Sequence, residues 1–355
     1  MKYAKLGSSD LQVSRICLGT MTWGAQNTQD EGFEQMDYAL EQGVNFFDTA
    51  ELYAVPPTAD TYGKTETIIG NWFESRGKRE DVILATKVSP VPWARGEDNP
   101  VINKASIKAA VEGSLKRLKT DYIDLYQLHW PTNRPNYHFA NWWNFEAPEN
   151  ASGREAIIES QLEILEALKE QIDAGKIREI GMSNDSAWGI TQYVELAKKH
   201  NLPRMVSTQN EYNLMRRRDE HDVAEVCALE EVGYLVYSPL DMGVLSGKYL
   251  DGKFPEGSRF SKAVLNGQED RFNTRMGLHA MDATRAYMEV AQKHGLDMCQ
   301  MALAFTIRKN WLTSTIIGAT TMEQLKSNIA AVDVVLTDEC LKDIHTVYQK
   351  YPVGF

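Results

Sequence analysis

Short apolar runs alternate along the chain with longer segments whose apolar residues recur every three or four positions. The runs occupy residues 16–19, 44–48, 82–87, 122–129, 177–182, 205–209, 234–238 and 314–318. They are nearly continuous and rich in Val, Ile, Leu and aromatic residues, as expected of parallel strands buried on both faces. Between them, segment 105–119 carries Ile107, Val111, Leu115 and Leu118, and segment 156–174 carries Leu162, Leu165, Leu168 and Ile172. That spacing draws one apolar stripe along a helix lying on a sheet. Gly175 stands where a helix C-terminus is expected.

Eight strands separated by helices predict a (β/α)8 TIM barrel. Residues 3–6, a turn at 7–10 and residues 11–13 read as an N-terminal β-hairpin set before the barrel. A doubly wound sheet is the structural alternative, but no Gly-x-Gly-x-x-Gly follows any strand. No linker, low-complexity tract or internal repeat divides the 355 residues, so 1–355 is expected to form a single domain.

Composition narrows the function classes. The formal net charge is −11, and no Lys/Arg block forms the basic stripe of a nucleic-acid binder. An acidic protein can still hold a locally positive pocket for a phosphate-bearing ligand. The first twenty residues lack the apolar core of a secretory signal, and no apolar run reaches membrane-spanning length. A cytoplasmic protein with no membrane partner is expected. Cys17, Cys227, Cys299 and Cys340 are scattered without a CxxC pair, and read as small buried side chains rather than a disulfide framework. No His, Cys, Asp or Glu cluster has metal-site spacing.

Candidate chemistry lies at the ends of the apolar runs. The second closes with Asp48, the third with Lys87 and the fourth with His129; later runs lead into Ser183, Asn184, Gln209 and Ser238. In a barrel these positions converge on the carboxyl-end mouth. Three long connections, 54–62, 131–153 and 243–281, rise from the same face. A charge closing a buried strand needs a partner, and Asp48 and Lys87 suit each other. Tyr53 follows the second strand closely enough to join them. A free phenol titrates near a pKa of about 10, and a neighbouring ammonium lowers that value. Lys87 is therefore expected to tune Tyr53 downward while His129 orients a substrate oxygen or shares the proton. Singly, each residue reads as a structural ion pair or satisfied polar group; four compatible groups on successive strands favour chemistry.

These residues sit in ordered motifs. Asp48-Thr-Ala-Glu-Leu-Tyr53 resembles the Asp-x-Ala-x-x-Tyr signature of the aldo-keto reductases, and Gly63-Lys-Thr-Glu66 resembles the Gly-x-[Ser/Thr]-Glu that follows it. Segment 114–129 resembles the family segment ending in a catalytic histidine. Ile180-Gly-Met-Ser-Asn184, Gln209-Asn210, Tyr237-Ser-Pro-Leu240 and Gly318-Ala-Thr320 continue in family order. The resemblance covers almost the whole chain. Val55-Pro-Pro57 and Gly318-Ala-Thr-Thr-Met322 are most similar to its bacterial Tas-like branch.

The resemblance implies NADPH/NADP+ as cofactor and a small-molecule carbonyl substrate reduced to an alcohol, with Tyr53 as general acid. It implies Asp48, Tyr53, Lys87 and His129 as the catalytic set. Thr20, Met21, Asp48, Ser183, Asn184 and Gln209 would line the nicotinamide half, with Tyr237 stacked beneath the ring. Ser238, Leu240, Gly243 and Lys248 would meet the pyrophosphate, and Arg259, Gly318, Thr320, Gln324 and Asn328 the adenosine and its 2′-phosphate. Independently, residues 321–331 read as a helix with Gly318-Ala-Thr320 at its entrance, and a helix N-terminus suits a phosphate. The alternative within the resemblance is an NADP(H)-sensing regulatory partner with slow or no turnover. NADPH-over-NADH preference and homo-oligomerisation stay open.

Two stretches depart from the commonest pattern. Residues 54–62 are extra length between Tyr53 and Gly63. The segment after His129 is long and aromatic, with Trp130, Tyr137, Phe139, Trp142 and Trp143 either walling an apolar substrate pocket or packing the loop onto the barrel. Gly243-Val-Leu-Ser-Gly-Lys248 is one residue short of a phosphate loop and is followed by Tyr249 rather than Ser or Thr.

Overall fold

The computed structural model describes residues 1–91, 94, 101–132, 134, 151–261, 275–277 and 279–352. Strands β1 (Tyr3–Lys5) and β2 (Gln12–Ser14) form the antiparallel hairpin. A closed parallel barrel follows: β3 (Ile16–Gly19), β4 (Phe46–Asp48), β5 (Ile83–Val88), β6 (Ile123–Leu128), β7 (Ile177–Ser183), β8 (Met205–Glu211), β9 (Gly233–Tyr237) and β10 (Leu312–Ile317). Each strand pairs with the next, and β10 closes on β3 through Thr315 opposite Ile16. The apolar runs match these strands to within two residues, so the expected (β/α)8 barrel with its hairpin is present.

The outer layer contains α1 (Gln29–Glu41), α2 (Lys64–Arg76), α3 (Lys104–Leu118), α4 (Ala151–Asp173), α5 (Ala187–His200), α6 (Val223–Leu229), α7 (Ala280–Lys293), α8 (Met298–Ile307), α9 (Met322–Ala330) and α10 (Asp338–Lys350). Their apolar stripes face the barrel; α3 buries Ile107, Ala110, Val111 and Leu118. The fourth helix starts five residues before the expected 156. Gly153 reads as a loop residue, but one glycine near a helix start costs only about 1 kcal/mol.

The strand period of two explains how the barrel directs its chemistry. Cys17, Phe46, Ala85, Leu125, Val206, Leu235 and Ile316 fill the interior, and Leu6 and Val13 of the hairpin join the same cluster. The next or next-but-one inward positions, on those strands or just past their ends, are Asp48, Lys87, Gln127, His129, Tyr237 and Gly318. Strand β8 breaks the parity. The β7–β8 register shifts between Ile180 and Gly181, so Val206 points inward low in the barrel and Gln209 points inward at the top. The packed interior leaves the carboxyl-end mouth as the place for a site.

Loop 54–62 is described. Tyr137, Phe139, Trp142 and Trp143 lie outside the described residues. All four cysteines are free thiols, but Cys299 is only half-buried. Among the described residues no helix is long and apolar enough to cross a membrane.

Candidate active site

The floor of the mouth is built on a buried ion pair. Lys87 Nζ, fully buried at the end of β5, donates to Asp48 Oδ2 on the adjacent strand and to the Thr49 carbonyl, each at 2.7 Å. Asp48 Oδ1 accepts from Gln209 Nε2 at 2.7 Å and from Gln127 Nε2 at 3.2 Å. Both oxygens of this buried carboxylate are therefore satisfied, as burial of a charge demands. Desolvation works against the Lys87 ammonium, but the nearby Asp48 carboxylate and Tyr53 outweigh it and hold the Lys87 pKa above its ordinary value.

Tyr53 lies above this pair, with the Lys87 ammonium 5.3 Å from its ring centroid. Its ring meets His129 edge-on, centroids 5.8 Å apart. The net shift of the Tyr53 pKa is upward, contrary to the sequence expectation. Burial is the largest influence and raises it; the charges of Lys87 and, more weakly, Arg259 lower it without prevailing. The site thus holds a neutral phenol above an ammonium. His129 Nδ1 lies 2.7 Å from Ser89 Oγ. The His129 carbonyl accepts from Asn184 Nδ2 at 2.9 Å, and Asn184 Oδ1 accepts from the Tyr237 hydroxyl at 2.7 Å.

Above these groups opens a cleft of about 400 Å³. Asp48, Tyr53 and His129 line it, whereas Lys87 is buried behind them. Every residue expected around a cofactor also lines it: Thr20, Met21, Ser183, Asn184, Gln209, Tyr237, Ser238, Leu240, Gly243, Lys248, Arg259, Gly318, Thr320, Gln324 and Asn328. Several of these side chains are engaged by the protein itself. Thr20 Oγ1 donates to the Asp48 carbonyl at 2.9 Å, Gln324 Oε1 accepts from the Thr320 N–H at 2.9 Å, and Asn328 Nδ2 donates to the Gly318 carbonyl at 3.1 Å. The last two brace the turn entering α9, where Thr321 is the N-cap.

Beyond β9 the backbone passes through left-handed conformations at Ser238, Asp241, Met242 and Gly243, with φ of 50°, 47°, 57° and 96°. Non-glycine residues rarely adopt such values. Asp241 is held there by Arg216 Nε at 3.0 Å and by Arg275, which also binds Glu211. This clasp fixes the turn from which Lys248 is presented.

Sequence reasoning missed Ser89, Gln127, Cys299 and Leu303. Ser89 and Gln127 contact the predicted residues only through tertiary structure. Cys299 and Leu303 reach the cleft from α8, at the four-residue spacing of one helix face.

Comparison with known proteins places the chain among relatives. The model of the aldo/keto reductase family matches residues 15–349. The chain is 44% identical to "Protein tas" of Escherichia coli strain K12, over 99% of both proteins. It is 33% identical to "Uncharacterized oxidoreductase YrpG" of Bacillus subtilis, covering 98% of this chain and 96% of that protein. It is 26% identical to "Norsolorinic acid reductase B" of Dothistroma septosporum, covering 100% of this chain and 83% of that protein.

Proposed function

The chain belongs to the aldo/keto reductase family, and on that footing we propose that it reduces an aldehyde or ketone to an alcohol with NADPH, Tyr53 acting as the general acid. The observation that carries this reading is the buried Lys87–Asp48 pair beneath a phenol that lines the cleft.

The cleft fits such a cofactor. Ser258 Oγ is buried at its wall without a hydrogen-bond partner among the described residues. A Cβ at Gly318 would meet nothing within 4 Å, so the glycine leaves open space against its backbone. Lys248, Arg259 and the N-terminus of α9 supply positive charge along the same wall, as phosphates require. When bound, NADPH supplies the hydride. Ser238, Gly243 and Lys248 would hold its pyrophosphate, Tyr237 would support the nicotinamide, and Arg259, Gln324 and Asn328 would surround the adenosine end.

The chain's own residues supply the proton. Burial keeps Tyr53 protonated at neutral pH. As negative charge gathers on the carbonyl oxygen, its basicity rises and the phenol proton moves to it. The phenolate left behind sits beside the Lys87 ammonium, which stabilises it. Asp48, held by Gln209 and Gln127, keeps Lys87 in position. His129, at the Tyr53 ring edge, orients the substrate oxygen. Measuring NADPH oxidation with a panel of aldehydes and ketones tests the reading. Saturable oxidation with alcohol formation is expected. Tight NADPH binding without turnover of any panel member would instead favour a cofactor-sensing protein.

A further inference from the structure

We propose that Ser89 is a positioning residue that sets the tautomer of His129, leaving the proton on Nε2 as the donor for a substrate oxygen. The inference rests on the reduction proposed above. Ser89 follows Lys87 by two residues, just past β5, and is fully buried. Its backbone is fixed from behind: its N–H donates to Glu51 Oε1 at 2.7 Å, and Glu51, also fully buried, accepts at Oε2 from the Tyr62 hydroxyl at 2.5 Å. Arg117 reaches within 3.9 Å of the same Glu51 oxygen. The serine hydroxyl is thereby held on one side of the imidazole, 2.7 Å from Nδ1.

Direction follows from counting donors. Among the described residues, His129 Nδ1 is the hydrogen-bond partner of Ser89 Oγ. If Nδ1 carried a proton and donated it, the hydroxyl proton would be left in a buried environment without an acceptor. An unsatisfied buried donor is the costlier arrangement. If the hydroxyl donates, its proton is satisfied and Nδ1 accepts with its lone pair. Neutral imidazole carries one proton, so it then resides on Nε2. Nothing in Ser89 touches the reacting atoms; it acts through the histidine.

The test is 15N NMR of protein labelled in its seven histidine imidazoles, recorded at about pH 8, where an ordinary imidazole is neutral. The His129 signals are identified by their loss in His129→Gln. In the wild type, Nε2 is expected to show the proton-bearing shift and Nδ1 the lone-pair shift. Ser89→Ala should move both toward averaged values and lower kcat about ten- to hundredfold, while Ser89→Thr, which keeps the hydroxyl, should restore the wild-type pattern. A wild-type proton on Nδ1, or unchanged shifts in Ser89→Ala, overturns the inference; the first result decides it even if the variant fails to fold. If no carbonyl is reduced, the proposed function fails while the nitrogen shifts still decide the role of Ser89. Normal turnover with unmoved shifts defeats this inference alone.

Discussion

Lys87 Nζ and Asp48 Oδ2 lie 2.7 Å apart, with neither side chain more than 4% exposed. Removing one member of a buried pair leaves the other charged and unpaired, typically at a cost of about 3–5 kcal/mol. In Lys87→Met the Asp48 carboxylate would keep Gln209 and Gln127 as donors, which places the loss near the lower end. Urea unfolding of the variant should show that loss together with strongly reduced turnover. Undiminished stability would mean that the pair contributes little to holding β4 against β5.

The pH dependence follows from two upward shifts. Tyr53 and Lys87 both have pKa values above the ordinary ones. A group with a raised folded-state pKa gives its full stabilisation below its unfolded pKa, and loses it as pH rises through the folded value. Both ordinary values lie near about 10. Reduction, which needs the protonated phenol, and stability against urea should therefore show no loss from these groups through neutral pH and fall only above about pH 10. A rate profile losing the acid limb near neutrality would place the proton donor elsewhere.

The strands were legible because parallel strands buried on both faces leave near-continuous apolar runs, and the catalytic candidates were legible because polar residues ended those runs. The sign of the Tyr53 shift was not. A neighbouring Lys can be inferred from sequence, but the burial that outweighs it is a property of the assembled mouth. Gln209 faces inward because of a register shift in β8, which no periodicity announces. Ser89 is an ordinary hydroxyl in sequence, and only the packing of β5 against His129 reveals its contact.

Cofactor discrimination separates two cations. Lys248 is expected at the pyrophosphate, so Lys248→Ala should weaken NADPH and NADH by similar factors, about ten- to hundredfold for a lost charged hydrogen bond. Arg259 is expected at the 2′-phosphate, so Arg259→Ala should weaken NADPH while sparing NADH. Fluorescence titration with both cofactors checks the assignments; equal affinities in all three proteins would remove both.

The close approach of α2 to the end of α3 depends on Gly70. A Cβ at Gly70, in α2, would lie 2.1 Å from the Arg117 carbonyl oxygen and 2.8 Å from the Leu118 carbonyl carbon, both backbone atoms near the end of α3. Backbone cannot rotate away as a side chain can, so Gly70→Ala should cost at least about 1–3 kcal/mol, despite the better helix propensity of alanine. Thermal unfolding with a raised Tm would contradict this close approach.

The most direct test compares Tyr53→Phe with the wild type on a reducible carbonyl, measuring kcat and NADPH affinity in the same preparation. With Tyr53 as the proton donor, kcat should fall by about 10²–10⁴ while cofactor affinity stays unchanged. Equal turnover by the two proteins would contradict the account.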